Sequence, residues 1–94
     1  MKDTSIDQER EIIRHPTLYL PDGDVVISVE SASVQYLFRV DKVFLSRHSK
    51  TFAQMFALPE PPTGEIHDGV PLIPLYGDDP EGIAGLLTFL YNPA

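Results

Sequence analysis

Histidines and serines are the first residues of this sequence that could carry out chemistry. The three histidines, His15, His48 and His67, are far apart in the chain, and none has a second ligand at the spacing of a metal site. Ser46 and Ser49 flank His48, but neighbouring residues of a helix point in different directions, and no strained nucleophile turn surrounds them. We therefore expect neither a metal ion nor a catalytic triad.

Two acidic pairs could serve as general acids and bases, but each has a local structural reason to be present. Asp22 and Asp24 belong to a Pro-Asp-Gly-Asp turn, and Asp78 and Asp79 precede Pro80, where aspartate is favoured as a helix cap. A small hydrolase that uses these carboxylates is the alternative, although no nucleophile, base and oxyanion donor can be named together. We expect no enzyme, no cofactor and no small-molecule substrate.

Composition restricts the class of partner. Seven Lys and Arg against fourteen Asp and Glu leave a net charge of -7 over 94 residues, which disfavours binding to nucleic acid or anionic lipid. The chain has no cysteine, which excludes disulfides and thiol chemistry, and no apolar run of about 20 residues. The sequence predicts one small cytoplasmic or nuclear domain that binds neither nucleic acid nor membrane.

The periodicity of apolar residues and the helix-capping residues predict the strands and helices of the chain. Residues 24–30 and 34–41 alternate in the manner of strands, and their short connection predicts a hairpin. Two helices are expected next, the first starting at Lys42 with Asp41 as its cap, and the second capped by Ser49 and carrying an apolar stripe. The five phenylalanines are expected in the core rather than in a ligand pocket. They are Phe38, Phe44, Phe52, Phe56 and Phe89.

A leader, a loop, a short strand and a final helix complete the predicted organisation. Residues 1–15 are expected to be a flexible or weakly helical leader before a domain of residues 16–94. The proline-rich stretch 59–71 predicts a loop, and Pro74 in the strand after it must turn its nitrogen away from a partner. From Asp79 onward, a cap, a proline at the first position and an i, i+3, i+4, i+7 apolar pattern predict a helix.

This order of elements resembles the BTB/POZ domain family, and three motifs carry the resemblance. The sequence FRVDK at residues 38–42 is similar to the family's F-x-V/A-H-K segment, although Asp41 replaces the usual histidine. Residues 45–56 match L-x-x-x-S-x-x-F-x-x-M-F, and residues 78–91 resemble the family's D-D-P-E helix. The proline-rich loop is similar to that of BTB proteins from mushroom-forming fungi. The motif residues are Phe38, Leu45, Ser49, Phe52, Met55, Phe56, Leu86, Leu87, Leu90 and Tyr91.

The resemblance implies an α+β fold of the BTB/POZ type, with a small three-stranded sheet flanked by a helical hairpin and a further helix. It also implies a domain that is incomplete at its C-terminus, because the family's last strand and two closing helices have no counterpart here. Leu86, Leu87 and Leu90 are then expected to be partly uncovered unless another chain covers them.

The function that the resemblance implies is non-catalytic protein–protein interaction, as a homodimer or with other BTB domains. The implied dimer-interface residues are Asp24, Lys42, Val43, Phe44 and Arg47. Leu58 and Glu60 resemble the apolar-x-Glu motif with which some members contact a cullin, so the chain is a candidate adaptor of a cullin-type ubiquitin ligase. The alternatives are an ordinary helix exit at this motif and a truncated regulator that binds other BTB proteins.

Overall fold

A computed structural model of the chain describes residues 11–58 and 64–93, which form one mixed sheet and three helices. The elements are β1 (Glu11–Tyr19), β2 (Val25–Ser31), β3 (Val34–Val40), α1 (Lys42–His48), α2 (Lys50–Ala57), β4 (Glu65–His67), β5 (Val70–Leu75) and α3 (Pro80–Tyr91). The strand order is β1-β3-β2-β5-β4. The pairs β1–β3 and β2–β5 are parallel, and the pairs β2–β3 and β4–β5 are antiparallel. The predicted α+β class is confirmed.

The strands and helices that were predicted from alternation and capping are present as β2, β3, α1, α2, β5 and α3. The Ser49 hydroxyl accepts a hydrogen bond from the N–H of Phe52 at 3.3 Å, and the Asp79 carboxylate accepts one from the N–H of Gly82 at 2.9 Å. Both side chains therefore satisfy backbone donors that a helix N-terminus leaves unpaired. The predicted cap of α1 is wrong, because the Asp41 side chain makes no capping hydrogen bond.

The sheet has five strands rather than three, and one of the additional strands lies within the predicted proline-rich loop. Glu65–His67 and Val70–Leu75 form a hairpin whose two turn residues, Asp68 and Gly69, have φ angles of 53° and 80°. A two-residue turn with both φ angles positive matches the twist of paired strands, and Asp-Gly suits it well. The loop prediction is thus wrong for residues 65–71, and residues 59–63 lie outside the described part of the chain.

The other additional strand, β1, replaces the last part of the predicted leader. Residues 11–14 pair with β3 instead of forming a loose or helical segment, while residues 1–10 lie outside the described residues. The register shifts between Arg14 and Tyr19, around Pro16. At this break the ring nitrogen Nδ1 of His15 accepts hydrogen bonds from the backbone N–H groups of Thr17 and Leu18, at 3.2 and 3.0 Å. The side chain thus satisfies donors that the interrupted ladder leaves unpaired.

Apolar side chains lie on both faces of the sheet, and the helices cover one of them. On that face the buried core consists of Leu18, Val25, Ile27, Val29, Phe38, Val40, Leu45, Phe52 and Leu87. On the opposite face the buried side chains of Val26, Leu37 and Leu72 form a smaller cluster, against which Tyr19 and Val70 pack. Strands β2 and β3 are therefore buried on both sides. This burial fixes the position of the segment before β2 and of the helix that follows β3.

Three side chains connect the two edges of the sheet across the face without helices, and we call them the edge clasp: Arg14, Tyr19 and Asp68. The Tyr19 hydroxyl donates to the Asp68 carboxylate, Arg14 forms an ion pair with it at 3.3 Å, and the Arg14 guanidinium lies 5.0 Å from the Tyr19 ring centre. The hydrogen bond from Tyr19, aided by the charge of Arg14, lowers the pKa of Asp68. The clasp joins β1 to the β4–β5 turn, so the sheet curls over its smaller cluster.

Candidate interaction surface

The N-terminus of α1 is capped by Asp24, which immediately precedes β2. Its Oδ1 atom accepts a hydrogen bond from the backbone N–H of Lys42 at 2.9 Å, and its own N–H donates to the Val40 carbonyl at 2.9 Å. A carboxylate in this position satisfies an unpaired helix donor and interacts favourably with the helix dipole. The family resemblance implies a charged pair between Asp24 and Lys42. In the structure the Asp24 carboxylate instead contacts the backbone N–H of Lys42.

The tight turn before Asp24 determines where this carboxylate lies. The N–H of Gly23 donates to the Leu20 carbonyl at 3.1 Å, and the Gly23 carbonyl accepts from Nε of Arg39 at 2.9 Å. Gly23 is buried against β3. The turn is therefore fixed to the strand that leads directly into α1.

Asp41 and Tyr91 join the start of α1 to the end of α3. The Tyr91 hydroxyl accepts from the backbone N–H of Asp41 at 3.0 Å and donates to the Asp41 carboxylate at 3.3 Å. Burial, together with the negative charge of Asp41, raises the pKa of Tyr91 to about 12. Because neutral Tyr91 serves as both acceptor and donor, it sets the position of α1 relative to α3.

An aromatic groove extends from this junction along α1. The Phe44 ring stacks on Tyr91 with ring centres 4.4 Å apart and planes 9° apart, and His48, one turn along α1, lies 4.5 Å from Phe44. Phe89 and Leu90 of α3 complete a groove of about 310 Å³. Phe89 is 60% exposed, so its predicted place in the core is wrong.

Two further side chains of α1 face solvent beside the groove. Val43 is 64% exposed, and Arg47 is exposed one helical turn further on. Leu45, fully buried, attaches the opposite side of the helix to the main core. We call the exposed region the α1 surface and define it by Val43, Phe44, Arg47 and Phe89.

The remaining motif residues are distributed between the core and the surface. Phe38, Leu45, Phe52 and Leu87 are buried in the main core, and Met55, Phe56, Leu90 and Tyr91 are partly buried against it. Leu86 is 39% exposed, in line with the expected lack of cover, whereas that expectation is wrong for the fully buried Leu87, because adjacent helical residues point about 100° apart. Leu58, at the end of α2, is 67% exposed, and Glu60 lies outside the described residues.

The sequence analysis did not predict that four residues lie together where α1 meets α3. They are Asp41, His48, Phe89 and Tyr91. The spacing of Phe44 and His48 was a usable signal, because residues four apart share a helix face. The approach of α3 to α1 had no such signal, since it depends on the packing of distant segments.

The described ranges 11–58 and 64–93 contain no group of three or more His, Asp or Glu side chains that could hold a metal ion. None of the helices in them is long and apolar enough to cross a membrane.

Removing the Tyr91 hydroxyl is expected to destabilise the fold by about 1–2 kcal/mol, because Asp41 loses a donor and an acceptor. This loss, measured by urea denaturation of Tyr91→Phe, should be constant below about pH 10, the pKa of an unfolded tyrosine. As pH rises from there to about 12, the folded pKa, wild-type stability should fall towards that of the variant. Tyr76→Phe, at an 81% exposed position, is the control. An equal effect at both tyrosines would contradict the role assigned to Tyr91.

Comparison with known proteins gives one finding for this chain. A family model described as BTB/POZ domain matches residues 21–94. The chain has no match among curated proteins or solved structures. The matched segment contains both helices that build the α1 surface.

Proposed function

Because this chain belongs to the BTB/POZ domain family, a family of non-catalytic protein–protein interaction domains, we propose that it self-associates through the α1 surface. The observation that carries the proposal is the exposure of Val43 and Phe89, at 64% and 60%, on one side of a small domain. Exposed apolar side chains next to a groove are typical of sites where another protein binds.

A second copy of the chain suits the α1 surface on geometric grounds. Val43 and Arg47 are one helical turn apart, so two copies of α1 related by a two-fold axis can place Val43 near its counterpart. The groove between Phe44 and Phe89 lies beside this stripe and offers a cavity for apolar side chains from the partner copy. Arg47, as a charged residue, would then lie at the rim, where charges are least costly.

Light scattering over a range of concentrations tests self-association directly. The wild-type chain should approach the mass of a dimer, and Val43→Asp should dimerise about a hundred-fold more weakly, because a carboxylate would be buried in an apolar contact. Ile66→Asp, at a 65% exposed position on β4, introduces the same charge away from the α1 surface and should behave as wild type. A monomeric wild-type chain, or dissociation by Ile66→Asp alone, would refute the proposal.

A cullin adaptor is the second candidate function, and the exposure of Leu58 favours it. Leu58 follows α2 as the C-cap and is 67% exposed, so an apolar pocket on a partner can reach it. Adaptor function needs binding to the N-terminal domain of a cullin, which calorimetry measures on the purified chain. Binding of this chain to other BTB domains, measured in the same assay, would instead indicate a regulator that associates with other BTB proteins.

A further inference from the structure

A cavity of about 320 Å³ lies between β1, the β2–β3 turn and the N-terminus of α3. We propose that this cavity receives an arginine side chain of a partner protein. The aliphatic part of that side chain would contact aromatic rings, and its guanidinium group would pair with carboxylates at the rim. The proposal does not depend on self-association, because no residue of the α1 surface lines this cavity.

Aromatic rings form the wall of the cavity on the sheet side. The His15 ring stacks on Phe38 with centres 5.4 Å apart and planes 27° apart, so Phe38, which is 1% exposed, supports this wall from beneath. Tyr36, two residues earlier on the same face of β3, lines the cavity as well. Flat aromatic surfaces suit arginine in particular, because its planar guanidinium group stacks on them while its methylene groups pack against them.

Backbone hydrogen bonds fix the orientation of the His15 ring in this wall. Its Nδ1 atom accepts hydrogen bonds from the N–H groups of Leu18 and Thr17, at 3.0 and 3.2 Å. The histidine contributes an aromatic face to the cavity.

The charged side chains that line the cavity are both acidic. Asp79 uses its Oδ2 atom to cap α3, whereas Glu81 makes no hydrogen bond or ion pair with another described residue. Among the described residues, no lysine or arginine side chain lines the cavity. A guanidinium group fits this setting because it donates several hydrogen bonds in one plane to carboxylates. A lysine would supply charge but no flat surface.

Titration of the isotopically labelled 94-residue chain with two blocked tripeptides tests the inference by NMR. The probes are acetyl-Gly-Arg-Gly-amide and its citrulline counterpart, which has nearly the same shape but no charge. The arginine probe should shift the amide signals of Ser31, Glu81 and Ala84 in a saturable manner at millimolar concentration, and citrulline should shift them far less. Equal shifts with both probes, shifts spread over all acidic turns, or no shifts would overturn it.

A pair of charge-neutralising variants provides the second measurement. Glu81→Gln should weaken binding of the arginine probe by roughly five-fold, since it removes one partly solvated charge partner. Glu65→Gln removes the same charge from β4, whose side chain does not line this cavity, and should leave binding unchanged. Equal binding by both variants, each with a wild-type amide spectrum otherwise, would also overturn the inference.

Discussion

Replacing Leu87 by alanine is expected to lower the free energy of unfolding by about 2–5 kcal/mol, because it leaves a cavity in the main core. Leu87 is the fully buried residue of α3, and it joins this helix to the face of the sheet that the helices cover. Such a loss is a large fraction of the roughly 5–15 kcal/mol by which whole domains are stable. We therefore expect Leu87→Ala to be largely unfolded under mild denaturing conditions.

The neighbouring leucine provides a matched control for this prediction. Leu86 lies in the same helix but is 39% exposed, so Leu86→Ala should cost less than about 1 kcal/mol. Urea denaturation of both variants, followed by circular dichroism, gives the two differences. Similar losses at the two positions would show that α3 does not pack on the sheet through Leu87.

Adding one methyl group at Gly23 is expected to destabilise the fold by about 1–3 kcal/mol. A Cβ atom there would lie 2.8 Å from Cγ of Arg39 and 2.8 Å from the Val40 carbonyl oxygen. The arginine side chain can move, but the backbone of β3 cannot do so without disturbing its pairing. The turn must shift instead, which moves Asp24 away from Lys42 and costs α1 its cap.

Gly85→Ala is the matched control, and it should change stability in the opposite direction. Its added Cβ would meet nothing within 4 Å, and alanine is favoured over glycine within a helix by up to about 1 kcal/mol. Thermal unfolding of the two variants measures the contrast. A harmless Gly23→Ala would show that the turn before Asp24 tolerates a side chain and does not fix the cap.

The elements that sequence reasoning predicted correctly are those with a complete local signal. In β2, buried and alternating apolar residues are bounded by turns, and α3 combines a cap, an N-terminal proline and a regular apolar stripe. Strand β4 also had a local signal, the Asp68-Gly69 pair between Ile66 and Val70, but the nearby prolines pointed to a loop. For this hairpin, turn chemistry was more informative than composition.

The features that could not be predicted depend on distant segments. Most side chains of β1 are exposed or half-buried, so its sequence lacks the clear alternation that distinguishes a strand, and β3 supplies its pairing. Asp41 occupies a cap position by sequence, yet its carboxylate bonds to Tyr91, fifty residues later. The dimer candidates Val43 and Arg47 came from family resemblance, and their exposure agrees with a surface role without testing it.

The parallel pairing of strands has a consequence for how quickly this chain reaches its folded state. Val26 pairs with Leu72, and the edge clasp joins Arg14 to Asp68, so in each case about half of the sequence must be brought into a closed loop. Chains rich in such non-local contacts cross their folding barrier more slowly than helical proteins of similar size. The helical hairpin can form early from local contacts, whereas β2 has only its hairpin partner β3 until β5 arrives. During that interval the apolar side chains of β2 remain open to association with other chains, which makes slow refolding at low protein concentration the favourable route to the native domain.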